Sequence, residues 1–139
     1  MQTKKGNIKN LRVLSSANKT MNIDVGVDII ERKRIKQAIL KHPKRFLKKI
    51  YTQRELENLP VKNELYHSIG FSLKEAVWKT LPPHTQKKTY FEDIEIIWNK
   101  DKPQIFLFGK KAKNFHIDFS FNKKIVITSA LRIKTRRVF

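Results

Sequence analysis

The chain has no cysteine, which excludes disulfides, thiolate metal sites and cysteine nucleophiles and suits a cytoplasmic setting. It is almost as poor in acid, with 12 Asp and Glu against 31 Lys and Arg and a formal net charge of +19. No stretch approaches the roughly 20 uninterrupted apolar residues of a membrane helix, so no membrane partner is expected. Internal repeats and long linkers are also missing. What remains is 139 residues, 40% hydrophobic and 10% aromatic, enough for one folded domain with a single core. Its positive field attracts polyanions, and nucleic acid, acidic proteins and phosphate-rich small molecules all qualify. Charge alone does not separate them.

Residues 1–20 contain no acid and several bases; they read as a basic, disordered extension, with 21–139 as the domain and Met21 as an alternative start. In "MNIDVGVDII", Ile23, Val25, Val27 and Ile29 alternate with Asn22, Asp24, Gly26 and Asp28, the period of a half-buried strand. Asp28 falls on the face opposite the apolar stripe. From Glu31 the spacing turns helical, and Pro43 splits that region into two helices with a cationic outer face. "TQRE", Thr52 to Glu55, is a capping box. A longer helix is predicted from Asn63 to Leu81, with Leu65, Ile69, Leu73, Ala76 and Thr80 as its buried stripe and Glu75 off it, beside Ser68, Phe71 and Lys79. "LPPHTQKK" ends it. "YFEDIEIIW" and "PQIFLF" read as strands, and "NFHIDFSF" and "KIVITSALRI" as a closing hairpin turning at "FNKK".

Two acids stand out in so basic a chain. Asp28 ends a strand on its polar face, and Glu75 lies beside the core stripe of a helix. Hard cations such as Mg²⁺ take one or two carboxylates and complete their shell with water and phosphate oxygens. The bland alternative is a pair of surface acids in ordinary ion pairs, Glu75 with Lys79 four residues on.

The order of local motifs adds to this. Gly26, Asp28, Ile29, Glu31, Arg34 and Ile35, then Tyr51, Thr52, Glu55 and Leu56, then Phe71, Lys74, Glu75 and Ala76 follow the G-x-D-I-x-E, F-T-x-x-E-L and F-x-x-K-E-A segments of the holo-acyl-carrier-protein synthase family. "FEDIEI" and "DKPQIFL" match later strands. From Met21 to about Ile133 the chain resembles these short phosphopantetheinyl transferases. The resemblance implies an α+β fold, the 4'-phosphopantetheinyl transferase fold, in which an antiparallel sheet is packed by helices, and a homotrimer. It implies that Asp28 and Glu75 bind Mg²⁺, which grips the pyrophosphate of coenzyme A while a serine of an apo acyl carrier protein attacks. Lys74 would neutralise phosphate charge or accept the serine proton, and Lys79, His84 and Lys87 would be further coenzyme A contacts. The acidic carrier would dock on Arg34, Lys41 and Arg45. Three positions depart from the family pattern: Phe121 replaces a phosphate-binding His, Gly70 replaces an Arg, and "LPPHTQKK" replaces a glycine-rich turn. The rivals are a basic nucleic-acid-binding module, for which no recognised motif is present, and a non-catalytic relative that only binds carrier protein.

Overall fold

A computed structural model describes residues 19–137. Apart from Lys19 and Thr20, the expected extension at residues 1–20 lies outside the described residues. The first strand, β1 (Lys19–Glu31), runs directly into α1 (Arg32–Lys41) and α2 (Pro43–Ile50). Pro43 occupies the first turn of α2, where its missing amide costs nothing. In α3 (Gln53–Glu57) the Thr52–Glu55 capping box forms as the sequence predicts. The long helix, α4 (Glu64–Lys79), begins where Asn63 accepts a bond from the Tyr66 amide at 3.1 Å. A short α5 (Pro83–Gln86) and a 3-10 turn at Phe91–Asp93 lead into β2 (Ile94–Asn99), β3 (Lys102–Leu107), β4 (Lys110–Lys111), β5 (Phe115–Phe121) and β6 (Ile125–Arg137).

The α+β fold that the resemblance implies is present: helices pack against antiparallel sheet, which among the described residues forms two groups of three strands, ordered β1-β6-β5 and β2-β3-β4. The closing hairpin forms with β5 against β6. Its turn is built by Asn122, whose side-chain oxygen accepts from the amides of Lys124 and Ile125 at 2.8 and 2.9 Å. Arg32 ties that turn to the start of α1, donating from its amide to Lys124 O and from Nη1 to Asn122 O, both at 2.8 Å.

Helix α4 is the centre of the domain, packed on β1 and β6 on one side and β2 on the other. Ile69, Leu73, Ala76 and Val77 are at most 1% exposed, and burying each large apolar side chain contributes about 1.5–3 kcal/mol. Ser68, Gly70, Ser72 and Lys74 are buried as well, so the helix is enclosed on more sides than its predicted stripe covers. Among the described residues no helix is long and apolar enough to cross a membrane.

One expectation is reversed. A half-buried β1 should turn its apolar stripe inward, yet Val25, Val27 and Ile29 are 57, 48 and 61% exposed, while Gly26 and Ile30 are buried and Asp28 is half-buried. The face carrying Asp24, Gly26 and Asp28 is the one that meets α4. Ile127 and Leu131, opposite Ile29 and Val25 on β6, are also exposed. The sheet therefore offers a continuous apolar face to the outside of the single chain.

Candidate active site

The approach of β1 to α4 sets the site, and a glycine makes it possible. A β-carbon built on Gly26 would lie 1.9 Å from the carbonyl oxygen of Ala76. With backbone against backbone there, the residues beside the crossing are brought together: Asp28 two positions along the strand and Glu75 one position before Ala76. The two acids singled out in the sequence, 47 positions apart in the chain, thus converge.

Their surroundings differ. Asp28 is held at both oxygens: Oδ2 accepts from Ser72 Oγ at 2.9 Å and Oδ1 from Lys79 Nζ at 3.2 Å. Lys79 also donates to Val27 O at 2.8 Å, and its side chain is 42% exposed. The helix pair considered for Glu75 is therefore not made, because the Lys79 ammonium turns to the strand. Glu75 itself is half-buried and has neither a hydrogen bond nor an ion pair among the described residues. Burial raises its pKa, the nearby Asp28 charge raises it further, and Lys79 opposes both. An unpartnered, partly desolvated carboxylate facing a second carboxylate costs free energy unless a cation is shared between them.

The donor set suits one class of cation. Among the described residues no group of three or more His, Cys, Asp or Glu side chains could hold a metal, so a structural zinc-type cage is not formed. Two carboxylates leave the rest of a shell to water and substrate oxygens, the habit of Mg²⁺.

Lys74, expected to neutralise phosphate charge or accept the serine proton, is 1% exposed. Its ammonium donates to Glu55 Oε1 at 2.5 Å, Ile50 O at 2.7 Å and Phe91 O at 2.9 Å, which uses all three protons. Glu55 in turn accepts from the amides of Thr52 at 3.0 Å and Ile96 at 3.1 Å. Burial pushes the Lys74 pKa down and that of Glu55 up, against their mutual attraction. One residue before Glu75, Lys74 ties α2, α3 and the 3-10 turn at Phe91 to the helix that carries Glu75, and Glu55 extends the tie to β2 through Ile96.

Beside Glu75 opens a cleft of about 380 Å³ lined by Lys49, Lys74, Trp78, Gln86, Tyr90 and Phe91 among others. Trp78 Nε1 donates to Gln86 O at 3.1 Å and Gln86 Nε2 to Trp78 O at 3.0 Å, which fastens α5 along one wall. His84 and Lys87, expected as coenzyme A contacts, are exposed on and just after α5 and do not line this cleft. Among the described residues the cation free of a hydrogen-bonded partner there is Lys49, which the sequence did not single out. Lys49 also lines a second hollow with Lys41, His42, Arg45 and Phe46, so the two depressions share a wall. Arg34 borders a third with Phe46 and Phe71. Arg34, Lys41 and Arg45 are all exposed, and among the described residues none has an acidic partner within 4.0 Å. Only the repeated cationic spacing of 31–50 could have marked Lys49 in advance, and it marks every lysine there alike.

A family model for the 4'-phosphopantetheinyl transferase superfamily matches residues 24–131. A holo-[acyl-carrier-protein] synthase of Chlamydia caviae is 40% identical over 85 residues, covering 60% of this chain and 70% of its own length. The protein of that name from Caldanaerobacter subterraneus is 44% identical over 93 residues, 65% of this chain and 72% of its own. Among solved structures, holo-ACP-synthase from Plasmodium yoelii matches with a TM-score of 0.63 and 26% identity, over 81% of this chain and 96% of that one.

Proposed function

The chain belongs to the 4'-phosphopantetheinyl transferase superfamily, and on that premise we propose that it acts as a holo-acyl-carrier-protein synthase: it transfers the 4'-phosphopantetheine arm of coenzyme A to a serine of an apo acyl carrier protein. The observation that carries the reading is Glu75, a half-buried carboxylate with no partner, facing Asp28 at the mouth of a cleft. Asp28 and Glu75 would hold Mg²⁺, which supplies charge neutralisation and a fixed orientation for the pyrophosphate.

The rest falls to the protein's own groups. The serine oxygen of the carrier forms a bond to the phosphorus joined to pantetheine, the bond from that phosphorus to the leaving adenosine 3',5'-bisphosphate breaks, and the serine proton passes to the leaving phosphate or to solvent. Lys79 is the ammonium suited to the transferring phosphoryl group, since it is exposed and already lies against Asp28; it lowers the barrier by meeting negative charge where it develops. Lys74 acts one step back, fixing the helix that presents Glu75. The cleft lined by Trp78, Tyr90 and Phe91 offers the substrate an aromatic wall. No nucleophilic side chain of the enzyme is required.

Arg34, Lys41 and Arg45, without an acidic partner among the described residues, surround Phe46, a basic rim and apolar seat that fits an acidic carrier protein. Lys49 joins that face to the cleft at Glu75, giving a carrier serine a short route to the carboxylates. The exposed stripe of Val25, Val27 and Ile29 with Ile127 and Leu131 supports burial against other copies of the chain, and the family resemblance puts their number at three. Val27→Asp, at the middle of that stripe, should reduce the sedimentation mass to that of one chain, whereas an unchanged mass would place the interface elsewhere.

The test is intact-mass spectrometry of an apo carrier protein incubated with coenzyme A, Mg²⁺ and the enzyme. A phosphopantetheine increment is expected, lost with chelator and restored by Mg²⁺. A folded enzyme that leaves the carrier mass unchanged refutes the reading and favours a protein that only binds its carrier.

A further inference from the structure

Asp28 does not stand alone behind the strand. Ser72, fully buried on α4 one turn before Glu75, donates to Asp28 Oδ2 at 2.9 Å. Thr128, on β6 directly opposite Asp28 in the ladder and 1% exposed, lies 2.8 Å from Ser72 Oγ and donates to Ser72 O at 3.0 Å. Each hydroxyl has one proton to give. An ionised Asp28 carboxylate can only accept, so it takes the Ser72 proton, and Thr128 is then the donor toward the oxygens of Ser72. The result is a directed chain, Thr128 to Ser72 to Asp28, running through the core and ending on a single carboxylate oxygen. Hydrogen bonds in such a chain polarise one another and strengthen the last one.

We propose that Ser72 and Thr128 are positioning residues for the cation site: they pin Oδ2 of Asp28 toward the core and so turn Oδ1 toward Glu75 as the oxygen that meets the metal. The proposal rests on the reading of Asp28 and Glu75 as a Mg²⁺ pair. Two features support the division of labour between the oxygens. Oδ2 is committed to a buried hydroxyl, whereas among the described residues Oδ1 is bound only by the exposed Lys79 ammonium, a partner that can move away when a cation and phosphate arrive. Ligating carboxylates are commonly oriented by such outer partners, whose removal weakens metal affinity about 10- to 100-fold. The same helix carries an internal control. Ser68, one turn earlier and equally buried, donates to Glu64 Oε2 at 2.9 Å, a bond of the same kind to a carboxylate outside the site.

The experiment titrates the protein with Mn²⁺, read by electron paramagnetic resonance of free ion without any turnover, alongside melting curves. Ser72→Ala is expected to bind Mn²⁺ about tenfold more weakly than wild type, with turnover returning close to wild type once the metal is saturating. Thr128→Val, which keeps the shape and removes the hydroxyl, should fall between the two. Ser68→Ala should lose melting temperature like Ser72→Ala but keep wild-type Mn²⁺ affinity. Wild-type affinity in Ser72→Ala, or an equal loss in Ser68→Ala, overturns the proposal while leaving the metal pair intact. Should Ser72→Ala fail to fold, wild-type affinity in Thr128→Val overturns it instead. If wild type itself neither binds Mn²⁺ nor modifies the carrier, the metal reading fails and takes this inference with it.

Discussion

Replacing Gly26 by Ala adds one methyl group at the point where β1 crosses α4. The added carbon would sit 1.9 Å from Ala76 O and 2.9 Å from its carbonyl carbon, where ordinary contact begins at 3.4 Å. Both are backbone atoms of a helix buried on most sides, so no rotamer change relieves the clash. The strand has to move off by about 1.5 Å, the difference between those separations. Overpacking of this kind costs about 1–3 kcal/mol, and a rigid obstacle puts it at the upper end. At roughly 4 °C per kcal/mol for a domain of this size, the melting temperature should fall by about 12 °C. The effect on turnover should be larger than the stability loss explains. Asp28 rides on the strand and Glu75 on the helix, and a displacement of about 1 Å in a catalytic array can cost about 100-fold. The assay is carrier modification below the lowered melting point, followed by intact mass. Gly109→Ala is the control. Its φ of +81° strains any L side chain, yet nothing lies within 4 Å of the new carbon, so about 1–2 kcal/mol should be lost with turnover unchanged. A Gly26→Ala protein with wild-type melting and turnover would show that the strand does not cross so closely, and the account of how the two carboxylates meet would fall.

Glu75→Gln should abolish transfer yet raise the melting temperature of the metal-free protein at neutral pH. Burial raises the folded pKa of Glu75, so its stabilising contribution is present below the unfolded value of about 4.3 and is lost as pH climbs through the folded value; the advantage of the Gln variant in melting curves should grow over that window, and a constant or reversed difference would contradict the assignment. Lys74→Met should cost about 3–5 kcal/mol in urea denaturation, because Glu55 is left charged and buried, while Lys74→Met with Glu55→Leu should recover much of it. A Lys74→Met enzyme of normal stability with only a raised KM for coenzyme A would restore the phosphate role to that residue. Reversing Arg34 and Lys41 to Glu should raise KM for the carrier far more than for coenzyme A, with the gap narrowing as salt rises; equal effects on both would move the docking face elsewhere.

What the sequence made legible is what its own neighbours satisfy. The Thr52–Glu55 capping box closes over three residues, and its donors and acceptors could be paired on paper. Asn63 and Asn122 also bond three residues on, but there the sequence marked only a helix start and a turn. Lys74 could not be read this way, since its partners at Ile50, Glu55 and Phe91 lie 24, 19 and 17 residues off. The Ser72–Thr128 contact spans 56 residues. A buried serine in a helix stripe carries no mark that tells a carboxylate partner from a neutral packing position. Strand β4 is two lysines long and too short for any periodicity. The acids at 28 and 75 were found because a chain with 12 acids against 31 bases makes each carboxylate conspicuous, and their spacing within β1 and α4 needed only the element type to be right.

The face of β1 misled because alternation gives the period of a strand without its direction. On the face that meets α4, three alternate residues each do something for that helix. Asp24 holds Arg132 at 2.7 Å, and Arg132 donates to Thr80 O at the helix end at 3.0 and 2.8 Å. Gly26 admits the backbone of Ala76, and Asp28 takes Ser72 and Lys79. A slip of one residue in the β1–β6 ladder would exchange the faces, sending Val25 and Val27 into the core and all three of these residues out. For one chain in water that exchange would bury more apolar surface, so hydrophobicity within the chain argues for the wrong register. The observed register becomes favourable when the outward stripe is covered by another copy. On the proposed assembly, subunit association and the meeting of Asp28 with Glu75 are therefore one requirement. A variant that sediments as a single chain should bind Mn²⁺ weakly even with every ligand in place.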